Sequence, residues 1–336
     1  GNYKLKLWVQ SHSREAKVYS VIFKSNKWEL HKVANFATNP VSSLVQDNNN
    51  VDIEYFGQSA TPITMVTHNN EKYLYWGIYG GTKTYYQFQI SNRTLTAYAP
   101  AGTEFYGAGA ACVTIGGNPY VVFGSDSGDV HVRPVGANFG NPASGNSFSI
   151  GAGERVRSSI AVDGAGEYAY FTSNDGTNGK VHKATVSTLL NPIPTIAAQS
   201  FNNKLSTSTP VISDSGYVYF GVHTAGWPSH GGIIGTQAST FNSLFSVYGS
   251  AYPGTPTGEP VQASPIVYTY DGTDYIYFTT NSGSGKGYCY KYDGFDAGLA
   301  WQAGGASGNR YSMQGFASDN GWLVYGDDGG MLYIIK

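Results

Sequence analysis

An all-β chain built from one repeated four-stranded unit, a β-propeller, is what this sequence predicts, and three observations predict it. The first is a short aromatic motif that recurs six times: Tyr73-Leu-Tyr-Trp-Gly77, Tyr120-Val-Val-Phe-Gly124, Tyr168-Ala-Tyr-Phe-Thr172, Tyr217-Val-Tyr-Phe-Gly221, Tyr275-Ile-Tyr-Phe-Thr279 and Trp322-Leu-Val-Tyr-Gly326. Successive motifs begin 47, 48, 49, 58 and 47 positions apart, and self-similarity at such a period is the signature of propellers and related arrays. The second is the constant setting of each motif, between an apolar run and a Gly-rich turn. The third is composition: 44 Gly and 27 Tyr in 336 residues, with charged residues at 12% against about 25% in average domains. Helical periodicity of useful length is absent.

Taken from the N-terminus, Tyr3-Lys-Leu-Lys-Leu-Trp-Val9 alternates Lys with apolar residues, as a strand with one solvated face does. It is expected to complete the last unit and close the ring. The first unit, roughly 16–57, has the weakest signature. From the second unit onward the order is constant. An apolar inner strand opens each unit (62–66, 111–115, 159–162, 210–212, 265–268). A turn of Asn, Asp and Gly follows, as in His68-Asn-Asn70, Gly116-Gly-Asn118 and Asp271-Gly272, which marks a β-hairpin. The aromatic motif is the second strand. Another Gly-rich turn, such as Ser125-Asp-Ser-Gly128, leads to a third strand, for example Val130-His-Val-Arg133 or Met331-Leu-Tyr-Ile-Ile335, and then to a weaker fourth. Inner strands this apolar need cover on both faces, which neighbouring units supply. A period of about 48 fits seven times into 336 residues. Seven four-stranded blades in a single domain over 1–336 is therefore the expectation, with six or eight blades as the alternatives.

The repeat resembles the quinoprotein-like (PQQ-type) propeller repeat. Ser264-Pro-Ile-Val, Tyr275-Ile-Tyr-Phe, Gly287-Tyr-Cys-Tyr-Lys-Tyr-Asp-Gly294 and Leu299-Ala-Trp301 carry the likeness best. The resemblance implies a fold rather than a redox activity. Quinone-dependent enzymes of that family carry adjacent cysteines beside the cofactor, whereas Cys112 and Cys289 are 177 positions apart. Both cysteines are expected as small core residues.

Composition also narrows the partners. A net charge of −2 removes the positive field that nucleic-acid binders use. No run of about 18 apolar residues is present, so no membrane span is expected. Abundant Gly, Ser, Thr, Asn and Tyr with little Lys and Glu resembles secreted and cell-surface proteins. The expectation is a monomeric extracellular or cell-surface domain, excised from a longer surface protein. The seven histidines form neither H-x-H nor H-E-x-x-H, and the EF-hand spacing is absent. No cofactor is therefore expected, Ca²⁺ being the ion that a rim of carboxylate and carbonyl oxygens suits.

Such a rim is the main functional candidate. The loops leading into the inner strands carry Glu54, Glu104, Glu154 and Glu259, with Tyr106 and Arg157 beside them. The corresponding loops of the fifth and seventh units carry Asn203 and Lys204, and Arg310 and Tyr311. In a propeller these loops gather at one mouth of the central channel. Carboxylates and Asn there suit hydrogen bonds to sugar hydroxyls, and tyrosines suit stacking on the ring. The period stretched to 58 contains a long loop with Trp227 and His230, a second candidate because loops carry function on rigid scaffolds. Solvated loop residues that merely repeat with the unit are the alternative for both. The reading is a non-enzymatic binding or adhesion module that recognises a glycan or a protein on one face. A carbohydrate-active hydrolase or lyase using the rim carboxylates is the alternative.

Overall fold

A computed structural model of the chain describes residues 3–9, 17–24, 27–35, 61–79, 84–92, 94–225, 230–283, 285–304, 312, 315–319, 321–327 and 332–336, with side chains from 61 onward. The described residues form seven antiparallel sheets, each a meander of consecutive strands. The first holds β1 (Tyr3–Val9), β2 (Lys17–Lys24) and β3 (Lys27–Asn35). The second holds β4 (Thr64–His68), β5 (Glu71–Gly77), β6 (Tyr85–Gln89) and β7 (Thr94–Tyr98). The third holds β8 (Ala111–Ile115), β9 (Asn118–Gly124), β10 (Asp129–Pro134) and β11 (Asn146–Ser149). The fourth holds β12 (Ala161–Val162), β13 (Tyr168–Asn174), β14 (Gly179–Thr185) and β15 (Ile196–Phe201). The fifth holds β16 (Val211–Ile212), β17 (Tyr217–His223), β18 (Gly231–Gln237) and β19 (Leu244–Tyr248). The sixth holds β20 (Ile266–Tyr270), β21 (Thr273–Thr279), β22 (Gly287–Tyr292) and β23 (Ala297–Ala303). The seventh holds β24 (Ala317–Asp319), β25 (Trp322–Gly326) and β26 (Leu332–Ile335). The helical turns among the described residues are two short 3₁₀ segments, Pro142–Ser144 and Val186–Thr188. This is the all-β propeller architecture that the repeat predicts.

Each aromatic motif forms the second strand of its sheet, and its neighbouring residues point in opposite directions, as a strand requires. Phe171 packs with Val113, Val122 and Phe148 of the third sheet. Its neighbour Tyr170 packs with Val218, Phe220 and Ile234 of the fifth. In the same way Phe220 faces the fourth sheet, while Tyr219 joins Val261, Ile276 and Phe278 of the sixth. The core is thus a series of apolar layers between successive sheets. The inner strands β8, β12, β16 and β20 touch one another in that order, which places them around a common axis.

Two local features explain the motif's sequence. Where it ends in Gly, the next sheet comes too close for a side chain. A Cβ on Gly124 would lie 2.2 Å from Val156 Cγ1, and one on Gly221 would lie 2.5 Å from the Val261 carbonyl oxygen. The hairpins from first to second strand turn through residue pairs with positive φ: Asn69-Asn70, Gly116-Gly117 and Asp271-Gly272. That backbone belongs to tight hairpin turns and explains the Asn, Asp and Gly found there.

Hydroxyl staples that the sequence analysis missed join the sheets near the inner strands. The Gly109 N–H donates to Ser159 Oγ at 3.0 Å, the Ser159 N–H to Thr209 Oγ1 at 3.0 Å, and the Thr209 N–H to Ser264 Oγ at 2.9 Å. Each satisfies a backbone donor on one sheet with a side chain from the next.

Two expectations are corrected. The expected place of residues 3–9 is the last blade, but β1 pairs with β2, from Tyr3 opposite Phe23 to Val9 opposite Lys17. Pairing with the adjacent strand closes a short loop, which costs less entropy than joining the two ends of the chain. Cys289 is buried as expected, but Cys112 is exposed on β8. Inner strand β8 alternates exposed with buried residues, and Cys112 falls on the exposed side.

A candidate binding face at one end of the propeller

The loops entering the inner strands meet the ends of the second strands. The N–H and carbonyl of Arg155 bond those of Asn174, Leu205 pairs likewise with His223, and the Asn281 N–H donates to the Pro260 carbonyl. Each of these loops therefore lies against the end of its own sheet's second strand.

At this end the structure brings together Tyr79, Tyr106, Asp126 and Arg157. Arg157 grips Asp126 with two bonds, Nε to Oδ1 at 2.9 Å and Nη2 to Oδ2 at 2.6 Å. Its guanidinium lies 4.8 Å from the centre of the Tyr106 ring, and Tyr79 meets Tyr106 edge to face at 4.9 Å. All four side chains are half-buried. Burial alone would lower the Arg157 pKa, but hydrogen bonding and charge from Asp126, with Tyr106 and Tyr79, hold it above its ordinary value. The product is a fixed aromatic and cationic surface. Sequence reasoning named Tyr106 and Arg157 but missed Asp126 and Tyr79. Both sit six residues after the opening residue of their motif, and that shared position was the available signal.

The glutamates are placed differently. Glu154 is 4% exposed, receives a bond from Ser173 Oγ at 2.7 Å, and pairs with Lys180. Ser173 Oγ also lies 2.8 Å from His182 Nε2. Glu259 accepts Thr280 Oγ1 at 2.7 Å and Tyr288 Oη at 3.0 Å on one carboxylate oxygen. Glu154 and Glu259 hold the same place, one residue before the partner of a second-strand end. Glu104 is out of step by one. It is itself that partner, its carbonyl accepting the Asp126 N–H at 2.8 Å, and Thr103 takes the place before it. Asn203 is exposed, with its N–H bonded to Asn178 Oδ1 at 3.0 Å. His230 is exposed, its carbonyl bonded to the Thr224 N–H. Glu54, Trp227, Arg310 and Tyr311 lie outside the described residues.

The Glu154, Ser173 and His182 chain contains the parts of a nucleophilic site in an order that does not serve one. A catalytic carboxylate orients the histidine from its far nitrogen, whereas Glu154 touches the serine. His182 lies flat on Phe171, 4.7 Å between ring centres and 11° between planes. Burial, with a contribution from Lys180, pushes its pKa down to about 3. All three side chains are closed into the wall. Among the described residues no group of three His, Cys, Asp or Glu is close enough to hold a metal ion, and no helix is long and apolar enough to cross a membrane.

No family model and no curated protein matches the chain. Solved structures do. A chain of the mitotic checkpoint complex is similar at 12% identity and a TM-score of 0.59, with 99% of this chain and 90% of that one covered. A 6-phosphogluconolactonase-like protein of Bacteroides fragilis is similar at 12% identity and a TM-score of 0.54, covering 100% and 84%. BamB of Moraxella catarrhalis matches at 11% identity and a TM-score of 0.48, covering 99% and 98%. These neighbours are β-propeller proteins, and at such identities the likeness of the first two speaks for the fold alone: the chain has the β-propeller fold.

Proposed function

We propose that the chain is a non-catalytic binding module that recognises a glycan or a protein at this end of the propeller, on an extracellular or cell-surface protein of the PQQ-type repeat class. The cluster of Tyr79, Tyr106, Asp126 and Arg157 carries the reading. Tyrosine and arginine are the residues most often found as binding hot spots. Here their conformations are set beforehand by stacking and a two-bond ion pair, so little side-chain freedom is lost on binding. Of the rim glutamates, Glu154 is buried against Ser173 and Lys180 and Glu259 is held by Thr280 and Tyr288, which favours a binder over a hydrolase or lyase.

The test is binding to a panel of immobilised polysaccharides, with product analysis in the same wells. The expected result is retention of at least one polysaccharide without cleavage, and a loss of about 2 kcal/mol in affinity for Tyr106→Ala, the usual hot-spot threshold, at unchanged Tm. Cleaved products, or parental binding by the variant, would overturn the reading.

A further inference from the structure

The Asp126–Arg157 pair has bonding capacity to spare at the surface. Arg157 spends Nε and Nη2 on the two Asp126 oxygens, two of the five N–H groups that a guanidinium carries. Among the described residues nothing takes the other three. Each Asp126 oxygen keeps a lone-pair site as well. Both side chains reach solvent, Arg157 at 25% and Asp126 at 13% exposure. A donor and an acceptor therefore stand side by side where a ligand can touch them.

The frame around the pair is fixed. The Phe105 N–H donates to the Ile78 carbonyl at 3.3 Å, which sets Tyr106 beside Tyr79. The two rings meet at 72° and wall a corner, with the guanidinium against Tyr106. Gly107 runs so close that an added Cβ would lie 2.5 Å from the Arg157 carbonyl oxygen. Arg157 is thus held from its backbone to its tip. Charge is balanced too: the segments 104–106, 126 and 155–157 set Glu104 and Asp126 against Arg155 and Arg157.

We propose that this corner takes a neutral glycan, a pair of sugar hydroxyls bridging Asp126 and Arg157, and rejects acidic sugars. The assignment rests on the glycan reading above and narrows it. A hydroxyl both donates and accepts, so neighbouring hydroxyls answer the carboxylate and the guanidinium together while the ion pair stays intact. A uronate offers the guanidinium only acceptors. It must displace Asp126 from a two-bond, charge-assisted grip, which is the strong kind, or bind beside a like charge. The apolar side of the sugar ring meets the tyrosine corner.

Calorimetry with three matched pairs of trisaccharides is the test: cellotriose, β-1,4-mannotriose and α-1,4-galactotriose, each against its uronic-acid counterpart. The parent is expected to bind at least one neutral member tenfold or more tightly than its counterpart. That binding should change little as salt is raised, since the ligand carries no charge to screen. Asp126→Asn keeps the shape and releases the guanidinium. It is expected to lose at least tenfold for the neutral sugar and to gain at least tenfold for the uronic counterpart, in a salt-sensitive way. A parent that prefers a uronic member overturns the proposal and leaves the glycan reading standing. Binding of none of the six also overturns it, and the polysaccharide panel then decides the glycan reading separately. A neutral preference that Asp126→Asn leaves unchanged would move recognition off the pair and overturn it too. The parental comparison needs no variant, so it decides even where Asp126→Asn does not fold.

Discussion

His131 and His182 stand opposite the fourth residue of the aromatic motif, paired with Phe123 and Phe171, where other sheets pair Trp76 with Tyr86 and Phe278 with Tyr288. Each histidine stacks on its partner as those tyrosines do. These two histidines therefore occupy aromatic core positions, legible only once the register of the third strand is known. Burial, joined by Arg133 beside one and Lys180 beside the other, pushes both pKa values from 6.5 down to about 3. The unfolded chain then takes up these protons first. The stability they support is complete above pH 6.5 and drains as pH falls from there toward 3, by up to about 1.4 kcal/mol per pH unit for each ring. Urea midpoints between pH 7 and pH 4 should fall accordingly. His182→Phe keeps the stack on Phe171 and should flatten that slope by one proton. An unaltered slope would show that His182 titrates in the fold as it does in water.

At the scale of the element, the parts of the sequence that were legible are those whose cause is local. The alternation in Tyr217-Val-Tyr-Phe-Gly221 and the positive-φ turn at Asp271-Gly272 follow from strand and hairpin geometry within a few residues. The role of the motif's terminal glycine was not legible, because its cause is Val261, 40 positions on in the next sheet. The placement of the rim glutamates was not legible for the same reason: a one-residue offset between Glu104 and Glu154 cannot be seen until each loop is paired with its strand end. The glycine claim can be tested by contrast. Gly221→Ala drives a Cβ to 2.5 Å from the Val261 carbonyl oxygen and 2.6 Å from Val261 Cγ1, and overpacking of this kind costs about 1–3 kcal/mol. Gly298, in strand β23, has nothing within 4 Å of an added Cβ and no positive φ, so Gly298→Ala should be neutral or stabilising by about 0.4–1 kcal/mol. Equal Tm shifts for the two would remove close approach as the reason for the motif's glycine.

For the whole molecule, stability resides in the layers between sheets, and these layers are unequal. The fourth and fifth sheets bury residues on both faces, with Tyr170, Phe171, Tyr219 and Phe220 at 1% exposure or less. The seventh leaves Trp322, Leu332 and Ile334 more than two-fifths exposed, and the second leaves Ile63 and Met65 in the same condition. In a stack where each unit contacts its neighbours, interior layers couple the structure and end layers do not. Phe220→Ala should therefore cost about 3–5 kcal/mol and lower Tm in one cooperative step. Leu332→Lys and Ile334→Lys, on a face that water already reaches, should stay within about 0.5 kcal/mol of the parent. The second pair of variants also bears on how the ring closes. Among the described residues β1 pairs with β2 and no strand is shared between the first and seventh sheets, so packing on the seventh sheet's outer face is what these variants probe. A drop of several degrees for Leu332→Lys or Ile334→Lys would show that this face is packed. Parental Tm values would leave it to solvent.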